Sequence, residues 1–207
     1  MKVILVNGSP HEFGCTERAL RECASVLEQQ GISTEIFWIG TKPISGCIGC
    51  GACKKGLGKC CIDDVVNQFT ALAAEADGFI FGSPVHYAAI SGSMSAFMDR
   101  AFYSGGSKLA GKPAAGVVSC RRGGASAAFD EFNKYFTINS MPVVSSQYWN
   151  QVHGSTPDQV LEDHEGIQTL RMLSKNMAWL LKCIEAGKAA GIERPEQEKI
   201  IRTNFIR

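Results

Sequence analysis

Lys2-Val3-Ile4-Leu5-Val6-Asn7-Gly8-Ser9-Pro10, followed after a short loop by Cys15-Thr16 and an amphipathic run, is the stretch that decides the fold. It reads as a buried strand feeding a Gly/Ser loop that feeds a helix. A helix N-terminus offers unpaired N–H groups and a positive dipole end, so such a loop suits a phosphate. The two common nucleotide fingerprints, Gly-x-Gly-x-x-Gly and Gly-x-x-x-x-Gly-Lys-Ser/Thr, are missing. What remains carries hydroxyls, Ser9 and Thr16, and no lysine. That chemistry fits a terminal phosphomonoester better than a triphosphate with its metal. An ordinary strand–loop–helix joint is the competing reading.

Working outward, strand-like and helix-like segments alternate. Ala19, Leu20, Cys23, Val26 and Leu27 recur at helical spacing between Thr16 and Gln30, and Gly31 stops the run. Thr34–Ile39 reads as a second strand. Residues 40–62 are rich in Gly, Lys and Cys without periodicity. Asp63 is the expected N-cap of a helix carrying Val65, Phe69, Leu72 and Ala76 on one face. Gly78–Phe81 is a third strand, and Met94, Phe97, Met98, Ala101 and Phe102 mark the next helix. Lys112–Ser119 is a fourth strand, followed by a helix through Phe129, Phe132 and Phe136. Pro142–Ser146 supplies a fifth strand. An irregular stretch follows, and then a long helix from Ile167 to Ile184.

Five strands separated by helices predict a doubly wound α/β domain, a parallel sheet covered on both faces. Ligands then bind beyond the carboxyl ends of the strands. The loops there, 8–16, 82–93 and 119–125, are all Gly/Ser-rich, as close approach of backbone to a flat ligand requires. The expected organisation is one domain over 1–187, with a Cys-rich loop 45–62 inserted, and an arm or short helix over 188–207. At 207 residues the chain has ample core for this.

Composition excludes other classes. The net charge of +1 gives no footprint for nucleic acid or an anionic membrane surface. No apolar run approaches the length of a membrane span. The first strand starts at residue 2, which leaves no room for a signal peptide, so a cytoplasmic location is expected. In a reducing compartment nine cysteines read as ligands, redox groups or small buried hydrophobes more readily than as disulfides.

Three blocks carry a family resemblance: Gly8-Ser9-Pro10 with Thr16; Gly82-Ser83-Pro84-Val85-His86-Tyr87 with Met98-Asp99-Arg100; and Cys47-x-x-Cys50-x-x-Cys53 with Cys60, running into Asp63-Asp64. With Tyr148-Trp149-Asn150 and His153-Gly154, they resemble the NAD(P)H-dependent FMN reductase and iron–sulfur flavoprotein branch of the flavodoxin-like superfamily. The resemblance implies a flavodoxin-like sheet of five parallel strands in the order 2-1-3-4-5. It implies FMN phosphate in the first loop on Ser9, Cys15 and Thr16, with Pro10 in the same loop. The isoalloxazine would lie against Ser83, Pro84, Val85, His86 and Tyr87. The loop with Ser119, Arg121, Gly123 and Gly124 would close over it, and His153 would approach it. It also implies a homodimer or homotetramer. Three positions depart from the usual pattern: Cys15 stands where Asn is common, His86-Tyr87 where an aromatic pair is common, and Arg121-Arg122 where small residues prevail.

Four compact thiolates in a Gly-rich loop can wrap a [4Fe–4S] cluster. The spacing of Cys47, Cys50, Cys53 and Cys60 is not that of the bacterial ferredoxin run, but resembles the compact iron–sulfur flavoprotein motif. Adjacent Cys61 leaves the fourth ligand ambiguous. A zinc tetrathiolate lacks its usual two-pair spacing, and a cysteine loop with no cluster is the plain alternative. Cys15, at a helix N-terminus, is expected to have a lowered thiol pKa. Cys23, Cys120 and Cys183 read as buried hydrophobes. Arg121 and Arg122 could grip the phosphates of NADPH or simply be solvated. Asp99-Arg100 reads as a structural ion pair without chemistry.

The leading functional expectation is an FMN-dependent oxidoreductase. It would pass hydride or electrons from NAD(P)H to a quinone, a flavin or another small-molecule or protein acceptor. The flavin does the chemistry, so no catalytic acid, base or nucleophile is assigned. The alternative is an electron carrier linking FMN and a [4Fe–4S] cluster to a ferredoxin-like partner.

Overall fold

A computed structural model describes residues 1–205. The first strand, β1 (Lys2–Asn7), feeds α1 (Cys15–Gln29), β2 (Ser33–Trp38) and, after the Cys-rich loop, α2 (Val65–Leu72). Then come β3 (Gly78–His86), the two-residue β4 (Ala89–Ile90), α3 (Gly92–Leu109), β5 (Ala114–Cys120) and α4 (Ala125–Ile138). The chain closes with β6 (Gln151–His153), α5 (Pro157–Glu162) and the long α6 (His164–Ala189). The parallel strands run in the order β2-β1-β3-β5-β6, and β4 pairs antiparallel with β3 alone. Among the five parallel strands this is the expected 2-1-3-4-5.

The continuous apolar runs are explained by two-sided burial. Val3 and Leu5 face α1 and α6, where they pack with Leu20, Leu27, Leu170, Leu173 and Met177. Ile4 and Val6 face α2, α3 and α4. That second layer is aromatic: the Phe69 ring lies 5.2 Å from Phe97 and 5.7–6.0 Å from Phe37, Phe79 and Phe81. Edge and tilted contacts of this kind add to plain area burial.

Four segments differ from the sequence reading. Pro142–Ser146 is not a strand. Only Val143 bridges Ala114, backed by the Val144 N–H to Ala114 carbonyl bond at 2.8 Å. The chain then leaves the sheet and returns as Gln151–His153, which pairs with Val118–Cys120. The edge position is thus filled in two pieces. The N-cap of α2 is Asp64 rather than Asp63, since it is the Asp64 carboxylate that accepts from the Val66 N–H (3.0 Å). The segment 82–93 is an extension of β3 and a hairpin rather than a loop. β1 stops pairing at Gly82, so Pro84 answers only to β5 and costs the ladder little. Finally, α6 reaches Ala189, past the expected boundary at 187, and residues 192–205 carry neither helix nor strand. Residues 206 and 207 of the expected arm lie outside the described ones. Among the described residues no helix is long and apolar enough to cross a membrane.

Candidate functional site

The carboxyl ends of β1, β3 and β5 meet the N-terminus of α1. Gly14 caps α1 without a side-chain hydrogen bond, and the first helical bond runs from the Arg18 N–H to the Gly14 carbonyl (3.0 Å). The first-turn amides are therefore available to a ligand. Ser9 and Thr16 are buried beside them. Ser9 Oγ accepts from the His11 N–H (3.1 Å), and Thr16 Oγ1 shares a hydrogen bond with Ser119 Oγ (2.8 Å). Ser119, expected in the loop over the flavin ring, is thus tied to the first loop. Gly8 is fixed by contact: a Cβ there would stand 2.6 Å from Met94 Sδ and 2.9 Å from the Gly82 carbonyl. Pro10, next in the loop, is exposed.

Cys15 departs from its expectation. Burial raises its thiol pKa, and a backbone hydrogen bond only partly offsets this. Desolvation outweighs the helix terminus. Its Sγ points to the Gly154 carbonyl at 3.7 Å, which ties the α1 N-terminus to the end of β6.

Val85 and His86 pair with Ile90 and Ala89, leaving Tyr87-Ala88 as a two-residue turn. Both have positive φ, 50° and 60°. Such turns favour Asn-Gly, so this pair is strained, and Tyr87 projects fully into solvent. The loop after β5 packs onto this turn. Gly124 has φ +92°, and a Cβ there would sit 2.8 Å from Ala88 Cα. The structure thereby brings Val85, His86, Tyr87, Gly123 and Gly124 to one rim. Arg121 and Arg122 are exposed on the same loop, with no carboxylate partner among the described residues. Ser83 lies beneath: its Oγ accepts from the Ser91 N–H (2.9 Å), and Ser91 Oγ donates to the Gly8 carbonyl (2.8 Å). Ser91 also caps α3 through the Met94 N–H. His153 is placed differently. Its backbone pairs with Cys120, but its imidazole turns to Asp163 (Nδ1 to Oδ2, 3.3 Å), which also accepts its N–H at 2.7 Å.

Farther along α3 lies a second centre. Cys47, Cys50, Cys53, Cys60 and Cys61 line one small pocket with Arg100, Tyr103 and Ser104, partly open to solvent. All are free thiols. The Cys50 and Cys61 sulfurs are 3.4 Å apart. Hydrogen bonds from the Ala52 amide and then from Cys61 lower the Cys50 pKa, while the bond to Cys50 raises that of Cys61. Cys50 is thus the more acidic thiol of the pair. Among the described residues, no three Cys, His, Asp or Glu side chains are close enough together to hold a single metal ion.

Arg100, read from sequence as a partner of Asp99, instead reaches this pocket from the buried face of α3. Its guanidinium forks onto Asp64 (2.6 and 2.9 Å), and Nε donates to Cys60 Sγ at 3.2 Å. Its pKa is raised: burial alone would lower it, but the bonds to Asp64 and Cys60 outweigh that. Asp99 accepts from the Tyr135 hydroxyl (2.6 Å). The sequence shows Arg100 within the Met98-Asp99-Arg100 block but not this role, because its partners lie 36 to 55 residues away. Of the other thiols, Cys23 is buried, with a pKa pushed up to about 12 by desolvation, and Cys120 is buried as expected. Cys183 is exposed instead. It lies two residues beyond Leu181, on the outer side of α6.

An iron–sulfur flavoprotein of Methanocaldococcus jannaschii is 34% identical over 195 residues, covering 89% of this chain and 100% of the relative. The crystal structure of RosB with bound 8-demethyl-8-formylriboflavin-5′-phosphate superposes with a TM-score of 0.70 at 14% identity, covering 100% of this chain and 92% of that one. An archaeal flavodoxin superposes with a TM-score of 0.60 at 16% identity, covering 88% and 99%. At these identities the two structures establish the fold, which is flavodoxin-like. The family profile of NADPH-dependent FMN reductase matches residues 1–155, from β1 through β6, and the chain belongs to that family.

Proposed function

We propose that the protein is an FMN-dependent electron-transfer oxidoreductase that also carries a [4Fe–4S] cluster in its cysteine loop. One observation carries the reading: the α1 amides and the five-cysteine pocket are both built into a single chain, joined by α3. The residues fit both groups. The uncapped α1 terminus with buried Ser9 and Thr16 suits a phosphomonoester, and Cys47, Cys50, Cys53 and Cys60 supply four thiols around one space. The full-length relative named an iron–sulfur flavoprotein supports the second assignment.

When bound, FMN supplies hydride and single-electron chemistry, and an iron–sulfur cluster supplies single-electron chemistry. The chain's own part is binding and orientation. The α1 amides, Ser9 and Thr16 hold the phosphate, with Cys15 and Pro10 in the same loop. Ser83 fixes the end of β3 through Ser91. The strained Tyr87-Ala88 turn and the loop with Ser119, Arg121, Gly123 and Gly124 form the rim for the ring. A homodimer or homotetramer belongs to the same reading, since Phe13, Tyr87, Tyr148 and Trp149 are left exposed.

A second reading concerns the electron donor. Exposed Arg121 and Arg122, free of carboxylates, suit the phosphates of NAD(P)H. The experiment is anaerobic purification with iron, sulfide and FMN quantified, then mixing with NADPH or a reduced ferredoxin in a stopped-flow spectrometer. About four iron and four sulfide per FMN, with fast reduction by ferredoxin, is the result expected of the electron carrier. A clean flavin spectrum without iron, bleached by NADPH, would overturn the cluster and leave a flavin reductase.

A further inference from the structure

Cys60 and Cys61 are adjacent, yet the fold treats them differently. The Cys60 backbone is clamped on both sides by Asn67: its N–H donates to Asn67 Oδ1 (3.0 Å), and its carbonyl accepts from Asn67 Nδ2 (3.0 Å). Its sulfur accepts from the Nε of Arg100, which is 1% exposed. Cys61 has no such cation. Its thiol faces solvent and the Cys50 sulfur.

Arg100 is itself held on every side. All five of its N–H donors are accounted for. Nη1 reaches Asp64 Oδ2 (2.6 Å) and the Ser45 carbonyl (3.4 Å); Nη2 reaches Asp64 Oδ1 (2.9 Å) and the Ile62 carbonyl (2.9 Å). Asp64 is in turn fixed as the cap of α2. The fork locks the guanidinium plane and leaves Nε aimed at one sulfur. The contacts at Ser45, Cys60, Ile62 and Asp64 hold both ends of the cysteine loop to one buried side chain. A planar fork with a separate Nε donor to sulfur is a task lysine cannot reproduce.

We propose that Arg100 is a positioning residue for the cysteine pocket: it selects Cys60 over Cys61 as the fourth thiolate ligand and raises the reduction potential of the group held there. The inference rests on the cluster reading above. Hydrogen bonds to ligand sulfurs and nearby charge set cluster potentials. Reduction adds one electron to the cluster with no bond made or broken, and the N–H donor and buried cation favour that more negative state. In the protein the electron comes from the bound flavin; in the test it comes from dithionite through redox mediators.

The test compares anaerobically purified wild type with Cys60→Ser, Cys61→Ser, Arg100→Gln, Arg100→Lys and Asp64→Asn. Iron and sulfide per chain, thermal melting and the midpoint potential are measured on each. Cys61→Ser is expected to keep its full iron, and Cys60→Ser to lose at least half. Arg100→Gln is expected to show at least a tenfold smaller reduced-to-oxidised ratio at the wild-type midpoint, a fall of about 59 mV for a one-electron couple. Arg100→Lys, which keeps the charge but not the fork, falls in between. Asp64→Asn, which leaves the guanidinium uncompensated, shifts the midpoint upward. Should Arg100→Gln fail to fold, the Lys and Asn shifts in opposite directions test the same point. Unchanged midpoints in the folded Arg100 and Asp64 variants, or iron kept by Cys60→Ser and lost by Cys61→Ser, would overturn the proposal while leaving the cluster reading intact. Wild type without iron or sulfide would overturn both.

Discussion

The N-terminus and the middle of α3 solve opposite problems. At its N-terminus, Ser91 is tied to Gly8 and Ser83, and the surrounding groups are buried residues of three parallel strands. Nine residues on, about 14 Å along the helix axis, Arg100 holds a loop that has almost no core of its own. Cys47, Cys50 and Cys61 are exposed, and the only regular structure there is a single turn at Ala52–Lys54. The first site is preorganised by the sheet and keeps its shape without help. The second depends on a few polar anchors. One rigid helix joins a site made by the fold to a site made by side chains.

The sharpest way to break this contrast is to damage the first site alone. Ser9→Ala with Thr16→Ala removes two hydroxyls from the proposed phosphate seat. At about 2 kcal/mol for each hydrogen bond to a charged group, FMN affinity should fall by roughly three powers of ten. Flavin fluorescence titration measures it. Iron content should stay close to wild type, while the apo protein should melt somewhat lower, because the variant also removes the Ser9–His11 and Thr16–Ser119 hydrogen bonds. Unchanged affinity would move the phosphate elsewhere.

Damage at the second site should show the reverse pattern. Arg100→Ala strands Asp64 beside the loop and frees both of the loop's ends. Breaking a buried pair costs about 3–5 kcal/mol, and Asp64 retains some solvent access, so about 3 kcal/mol is expected in urea unfolding. Protease should cut first between 45 and 62, with FMN affinity changed less than tenfold. Equal loss of FMN and loop order would show that α3 transmits damage along its length and that the two sites are not independent.

The first site is the legible one. β1, the Gly8-Ser9 loop and the α1 periodicity lie consecutively in the chain, and two-sided burial writes itself as an unbroken apolar run. The edge strand misleads for a related reason. Pro142-Val143-Val144-Ser145-Ser146 has β-branched residues but makes a single bridge, whereas Gln151-Val152-His153 is too short to leave a pattern. The cysteine spacing is visible as a motif, but the role of Arg100 in organising it is not. Arg100 sits inside a helix whose apolar face gives no hint of a guanidinium facing inward, and its partners become neighbours only when α3 packs beneath the loop. Cys15 teaches the same about electrostatics. Position along a helix is local and readable; the burial that reverses its pKa shift is a property of β6 and the loop after it.

A smaller effect sharpens the contrast further, because it separates stability from use at the first site. Tyr87 and Ala88 hold a turn with φ of 50° and 60°, a region that costs a non-glycine residue of order 1–2 kcal/mol. Glycine at position 88 relieves that strain but loses part of the gain to the greater entropy of its unfolded chain. Ala88→Gly should therefore stabilise the apo protein by only about 0.5 kcal/mol. A sheet-built site that stores strain at its rim should give that energy back without unfolding anything else. If the turn exists to present Tyr87 and to meet Gly124, the same variant should release FMN faster, since the rim loses both its fixed direction and the Ala88 contact. A gain in melting temperature with faster FMN release would mark the strain as functional. A gain with unchanged release would mark it as tolerated, and no gain would mean that contacts across the rim already compensate for it.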